Sequence, residues 1–342
     1  MNEKISEGIK VSVLIPVYNV ENYIEKCVRS LFSQTMQEGI EFIFVDDNSP
    51  DNSINIVKDI LLEYPYRRKQ VRILRHERNK GLAVARLTGL CAAKGDYVVH
   101  CDSDDWVAED MYERMFMEGK KVNADIVLCN YFIETSLKTF VHRLYFRRSK
   151  EDFILDIISG KTSGFLWNRM FKRYFYMSSM YHADSGITYF EDIAVTIPAH
   201  IDCNVIAYIE HPLYHYNQTV STSMSSDYSE SSLNSMISVL EKLQLQYDQQ
   251  NYPKYNKYLN RRLEKIRMLY GTSLKNYHPK RWRELFCDKV NLRYCSTIHR
   301  ISFYLLKYKL DKINYFFIFI CKIFNIRSWG FYFIESYNLI NK

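Results

Sequence analysis

Glycine and proline are scarce in this 342-residue chain, at 11 and 7. That scarcity, with an ordinary apolar fraction, argues against disorder and against a repeat architecture. The eight cysteines, at 27, 91, 101, 129, 203, 287, 295 and 321, include no C-x-x-C pair. Several fall inside apolar runs, so buried free thiols of a reducing compartment explain them better than disulfides or a zinc site. Residues 1–10 lack the apolar centre of a signal peptide, and no run reaches transmembrane length. The nearest, 315–324, is interrupted by Lys322. These absences predict a cytoplasmic protein. No G-x-G-x-x-G and no P-loop motif follows any apolar run, which excludes those two nucleotide-binding designs. A formal charge of +7 over this length is modest, enough for a basic face toward anionic lipid or a diphosphate but not a nucleic-acid signature.

What the chain has in quantity is aromatic residues, 15% of the total, with 28 Tyr and 20 Phe. It also has a clear alternation in its first third. Near-continuous apolar runs at 11–17, 41–45, 71–74, 97–101 and 124–129 read as buried strands. Between them lie helical periods, such as Ile24, Cys27, Val28, Leu31 and Phe32 on one face, and Ile54, Val57, Ile60 and Leu61 on another. Strand–helix alternation with apolar strands predicts an α/β fold with a mostly parallel sheet covered on both faces. From about 133 the pattern loosens into an α+β stretch, with helices near 152–158 and 192–199 and strands near 167–174, 205–209 and 213–216. After the Ser-rich 221–235 the chain turns helical, with Met236, Val239, Leu240 and Leu243, then Leu259, Leu263 and Ile266, at helical spacing.

Ligands of open α/β sheets bind outside the carboxyl ends of the strands. Three polar clusters fall there: Pro16, Val17, Tyr18 and Asn19 after the first strand, Asp46 and Asp47 after the second, and Asp102, Ser103, Asp104 and Asp105 after the fourth. Carboxylates spaced by two suit a hard divalent cation, Mg²⁺ or Mn²⁺, shared with phosphate oxygens. An acidic turn that merely caps the next helix is the competing explanation for either cluster alone; their convergence on one rim favours the ligand.

The VSVLIPVYN run at 11–19, VDDNSPDNS at 45–53, NKG at 79–81 with Ala85 and Arg86, and KGDY at 94–97 leading into Asp102–Asp105 occur in order. Together they resemble the family 2 glycosyltransferases of the GT-A fold, closely over the first 130 residues and loosely to about 225. The resemblance implies that Pro16, Tyr18, Asn19 and Asp47 frame the nucleotide base, commonly uracil, while Asp46 holds its loop or caps a helix. It implies that Arg86 reaches the nucleotide or phosphate, and that Asp102, with Ser103, lies by the ribose or touches the metal through water. Asp104 is the implied direct metal ligand, and Asp105 a third member without a fixed role. The Glu191–Asp192 pair before an apolar helix matches the family's catalytic carboxylates, with Asp192 the base and Glu191 its orienting or acceptor-binding neighbour. Helix capping is the alternative for that pair. Trp167, Asn168 and Arg169 resemble a segment near the sugar pocket. His215 reads either as a packed ring or as a group near metal or diphosphate.

The expected protein is therefore an inverting, hexosyltransferase-type enzyme of bacterial polysaccharide assembly. It would move sugar from a nucleotide diphospho-sugar, UDP-linked by expectation, to a glycan or lipid-linked hydroxyl. Its layout would be a catalytic domain at 1–225 (donor side 1–130, acceptor side 131–225) and a helical, aromatic-rich region at 226–342. The segment from Arg300 onward, rich in Phe, Tyr and Lys, reads equally as a packed cap or as a peripheral contact with the inner face of a membrane. A nucleotidyltransferase would use similar aspartates but wants a Gly-rich basic loop where this chain has Val17, Tyr18, Asn19 and Val20. An inactive glycan-binding or scaffold relative is the non-enzymatic rival.

Overall fold

The computed structural model describes residues 8–144, 149–178, 187, 189–219, 229–272 and 278–323. It separates into two compact units, Met1–Lys150 with Phe165–Ser226, and Glu151–Gly164 with Asp227–Lys342.

The first unit is built on one mixed sheet. Strands β1 (Val11–Val17) and β2 (Ile40–Asp46) are buried along their whole length, as apolar strands clad by helices on both faces must be. The helices between the first strands are α1 (Ile24–Phe32), α2 (Ser53–Glu63) and α3 (Leu82–Ala92). Strands β3 (Val71–Arg75) and β4 (Tyr97–His100) complete a parallel set in the order β3-β2-β1-β4. The polar exceptions inside this set hold one turn. Ser12 donates to Glu41 at 2.6 Å, and together they receive the backbone N–H groups of Lys94 and Gly95. Only glycine fits at 95, because a Cβ would stand 2.6 Å from the Ser12 nitrogen. That close approach explains the glycine of the KGDY run.

Beyond β4 the sheet departs from the parallel expectation. β5 is only Trp106–Val107, and α4 (Met111–Val122) leads into β6 (Ile126–Glu134), which forms a hairpin with β7 (Thr139–His142). β8 (Arg169–Lys172) then inserts antiparallel between β4 and β6. After α6 (Arg173–Ser178) and α7 (Glu191–Asp202), strand β9 (Ile206–Asn217) runs parallel to β6 and antiparallel to β5. The two strands read separately from sequence, 205–209 and 213–216, are one strand whose register against β6 shifts near Cys129 and Asn130. The short β5 and the hairpin strand β7 carry no sequence periodicity long enough to detect.

The second unit is helical: α5 (Lys150–Ser159) supplies its Glu151–Ser159 part, joined by α8 (Glu230–Gln249), α9 (Pro253–Thr272), α10 (Pro279–Phe286), α11 (Thr297–Lys307) and α12 (Asp311–Ile323). Met236, Leu240, Leu243, Leu259, Leu263 and Ile266, picked out by spacing, are all buried. Arg262 ties α9 to the end of α5 by donating to the carbonyls of Ile157 and Ile158. That bond and the buried face of α5 place 151–164 with the helices rather than with the sheet. Among the described residues no helix is long and apolar enough to cross a membrane. All eight cysteines are free thiols. Residues 324–342 and most of the Ser-rich 221–235 lie outside the described residues.

Candidate active site

The carboxyl ends of β1 and β2 are stitched together by side chains of the 46–53 run. Ser49 Oγ accepts the Asn19 N–H at 2.8 Å, Ser53 Oγ that of Val20 at 3.2 Å, and Asp51 Oδ2 that of Glu21 at 2.8 Å. Asp51 Oδ1 in turn receives both hydroxyls, at 2.6 and 2.7 Å. Burial pushes the Asp51 carboxyl up, but these donors outweigh it and hold it below its usual value. Pro16 is buried inside β1, whereas Tyr18 and Asn19 stand exposed at its end, Asn19 with a left-handed backbone (φ 54°). The sequence reading passed over Ser49, Asp51 and Ser53; their S-x-D-x-S spacing was the available signal.

Asp46 and Asp47 are both buried and both engaged. Asp46 Oδ1 accepts the Ser49 N–H at 2.8 Å, a local turn-forming bond, and Oδ2 lies 3.4 Å from Arg75. Asp47 carries more of the architecture. Its Oδ1 meets His76 Nδ1 at 2.6 Å and the Lys80 N–H at 2.8 Å, and its Oδ2 accepts the Gly81 N–H at 2.8 Å. Gly81 has φ 88°, which any side chain would strain, so the NKG turn and the start of α3 are gathered onto this one carboxylate. An ionised carboxylate offers about four acceptor positions, which leaves one on Oδ2 for a ligand.

Arg86 on α3 is buried, yet it bridges two carboxylates distant in sequence. Nη1 donates to Glu191 at 2.7 Å and Nη2 to Asp102 at 2.7 Å. Burial disfavours the guanidinium charge, but Asp102, Glu191 and Asp192 more than offset this and raise its pKa. Its Nε has no partner among the described residues. The arginine expected at the phosphate thus joins the acidic loop after β4 to the first turn of α7. Phe190, just before that turn, also has a left-handed backbone, φ 69°. Asp192, in the first turn of α7, accepts the adjacent Ile193 N–H at 2.7 Å.

The loop 102–105 is anchored from β9. Asp105 is buried; its Oδ2 receives the Tyr214 hydroxyl at 2.7 Å and its Oδ1 the Asn217 N–H at 2.7 Å. The same Tyr214 oxygen accepts the Asp102 N–H at 3.1 Å, and the Asn217 amide donates to the Asp104 carbonyl at 3.0 Å. Ser103 is buried in the loop. Asp105 is thus the keystone that shapes the turn. Asp104 differs: among the described residues its carboxylate has no donor apart from its own backbone N–H, and burial, then the neighbouring Asp102 charge, pushes it up to about 6. A carboxylate strained in this way, beside a second one, fits a divalent cation that takes one or two carboxylates and completes its shell with phosphate and water. Among the described residues no three His, Cys, Asp or Glu side chains converge into a closed metal cage.

The packing departs from the expected sugar pocket at 167–169 and accords with the packed reading of His215. Trp167, Asn168 and Arg169 are at most 2% exposed. The Trp167 ring stacks on Tyr214 and Phe165 and meets Tyr131 edge-on. The Asn168 amide donates to the Cys129 carbonyl, and its oxygen accepts from Arg169. Because β8 enters the middle of the sheet, this segment packs as core among the described residues. His215 is likewise packed, its ring stacked between Trp106 and Phe132 with Nδ1 2.7 Å from Glu134. Burial first, partly countered by Glu134, lowers its pKa.

Residues 12–179 match the family described as Glycosyl transferase family 2. The chain carries a family 2 glycosyltransferase domain. It is 34% identical over 218 residues to the "Putative glycosyltransferase EpsH" of Bacillus subtilis, covering 60% of each chain. It thus spans about 60% of the length of that curated relative. Among solved structures, S. aureus TarS 1–349 shares the GT-A architecture with a TM-score of 0.69 at 19% identity, over 92% of both chains. The same protein in complex with UDP-GlcNAc superposes with a TM-score of 0.67 at 18% identity, again over 92% of both chains.

Proposed function

We propose that the protein is an inverting glycosyltransferase that moves a sugar from a nucleotide diphospho-sugar to a hydroxyl of a glycan or a lipid-linked glycan. The observation that carries this reading is the Arg86 bridge. It sets the Asp102–Asp104 loop, where a diphosphate would be held, beside Glu191 and Asp192, where a hydroxyl would be deprotonated. A divalent cation, Mn²⁺ or Mg²⁺, held by Asp104 with Asp102 would neutralise the leaving diphosphate.

In the proposed reaction the acceptor oxygen bonds to the anomeric carbon from the side opposite the diphosphate, whose oxygen leaves with the bonding electron pair. Asp192 takes the hydroxyl proton. Glu191, fixed by Arg86, orients the acceptor. Tyr18, exposed at the end of β1, and the remaining Asp47 acceptor position would meet the base. The S. aureus neighbour was solved with UDP-GlcNAc, which makes UDP-linked sugars the first donors to test. A cytoplasmic setting in polysaccharide assembly accords with this chemistry.

A thermal-shift panel of UDP-, GDP- and CDP-sugars, with and without Mn²⁺, tests the donor reading. At a hundredfold excess over Kd the right donor adds about 2.7 kcal/mol of apparent stability. Release of nucleoside diphosphate on adding acceptor supports transfer. Release of pyrophosphate from a nucleoside triphosphate and a sugar phosphate would instead identify a nucleotidyltransferase, and no shift with any nucleotide sugar would leave a scaffold.

A further inference from the structure

Helices near a surface normally turn apolar residues inward and polar residues outward. α12 buries apolar residues but also carries them on its outer side. Its inward positions are Asn314, Ile318 and Cys321, with Asn314 fully buried and donating to the Gly271 carbonyl at 2.7 Å. Its outward positions include Ile313, Phe316 and Phe319, which are 55%, 62% and 44% exposed. On α11, which packs against α12, Tyr304 is 49% exposed, and Tyr308 just beyond its end is 66% exposed. Burial of such rings stabilises a protein by about 1.5–3 kcal/mol each, so leaving five apolar side chains in water is unfavourable unless something covers them.

The charges beside these rings have one sign. Between 297 and 323 the basic residues are Arg300, Lys307, Lys309, Lys312 and Lys322, and the only carboxylate is Asp311. Both Asp311 oxygens are held by Arg283, at 2.5 and 3.0 Å, which removes that negative charge from the face. Lys312 and Lys322 are exposed at the two ends of α12, with the phenylalanines between them. A row of rings flanked by lysines matches the boundary between acyl chains and anionic headgroups, where rings enter the interface and ammonium groups meet phosphate. We propose that the outer face of α11 and α12 docks on an anionic lipid surface. The face lies in the plane of the lipid; it does not span it. Its use, to bring the enzyme to a lipid-linked acceptor, rests on the transfer reaction proposed above; the docking itself does not.

Co-sedimentation of the full chain with phosphatidylcholine vesicles, with and without about 30% phosphatidylglycerol, tests the docking without any turnover. Binding to the anionic vesicles that weakens with salt is the expected result. Phe316→Ser with Phe319→Ser should reduce that binding at least about tenfold while leaving the unfolding temperature near wild type, because both rings are already exposed. Lys312→Glu with Lys322→Glu should abolish the preference for anionic lipid. A wild type that ignores anionic vesicles overturns the proposal. So does a truncation after Ile323 that binds while the full chain does not, since the face is then covered by the chain's own 324–342. A dimer that the serine double variant dissociates, with no vesicle binding, overturns it in favour of self-association. Vesicle binding without release of nucleoside diphosphate would uphold the docking and sink only the transfer reading.

Discussion

Two acidic pairs stand at the ends of β2 and β4, on either side of β1, and look alike in the sequence, yet the structure holds them in different ways. The carboxylates of Asp46 and Asp47 are tied into the chain: a turn N–H and Arg75 on one, two backbone N–H groups and His76 on the other, with one acceptor position of Asp47 Oδ2 left over. Asp102 and Asp104 are held in position through their backbones, by Tyr214 and Asn217, while the Asp104 carboxylate is left without an external donor among the described residues. The first pair builds a loop; the second is itself built by one. Whether a strand-end aspartate is structural or available for a ligand is decided by where N–H groups converge, which two-residue spacing does not reveal.

The largest expected effect lies just across the Arg86 bridge from the second pair. Asp192→Asn should lower turnover by about 10²–10⁴-fold with donor affinity unchanged, as loss of a general base does. Glu191→Gln should fall less, through acceptor KM. Steady-state kinetics on both variants decide between a base and a helix cap, since caps alone would give two active, slightly destabilised enzymes.

Next, the two pairs should separate on two axes, ligand affinity and stability. Asp104→Ala should weaken Mn²⁺-dependent UDP binding by at least about a hundredfold in a calorimetric titration, without lowering the unfolding temperature, because no hydrogen bond to another residue is lost. Asp47→Ala should do the converse in part. Leaving the Lys80 and Gly81 N–H groups unpaired costs about 2–4 kcal/mol, read as a drop in denaturation midpoint, with a smaller loss of UDP affinity. Equal loss of stability in both variants would erase the distinction. The smallest effect is expected at the support: Tyr214→Phe removes one hydroxyl joining Asp102 to Asp105, and should weaken Mn²⁺-dependent UDP binding by about three- to tenfold with the fold intact.

Most of the sheet's parallel half could be read from the chain, because its strands are continuous apolar runs and its helices keep a 3.6-residue period. The placing of the acidic runs at the strand ends could be read too, as could the helix that starts at Glu191–Asp192. What could not be read depends on partners far apart. Arg86 meets a carboxylate 105 residues away, and Asp105 meets β9 109 and 112 residues on. The antiparallel entry of β8 turned Trp167, Asn168 and Arg169 from an expected pocket into core. No local pattern encodes such pairings; they follow from the order in which strands occupy the sheet.

The Arg86 bridge has a consequence for the sequence of arrivals at the rim. Asp102, Asp104, Glu191 and Asp192 all act electrostatically on this single guanidinium. Four carboxylates against this guanidinium and that of Arg169, which also acts on Asp192, leave a surplus of negative charge around the place where a diphosphate would have to lie. A diphospho-sugar approaching alone, itself an anion, is repelled. One already paired with a divalent cation is nearly neutral at its diphosphate and meets attraction instead. On the proposed donor site the resting protein would therefore screen its visitors by net charge before shape is tested, and bare nucleoside diphosphate, stripped of its cation by a chelator, should be a poor product inhibitor.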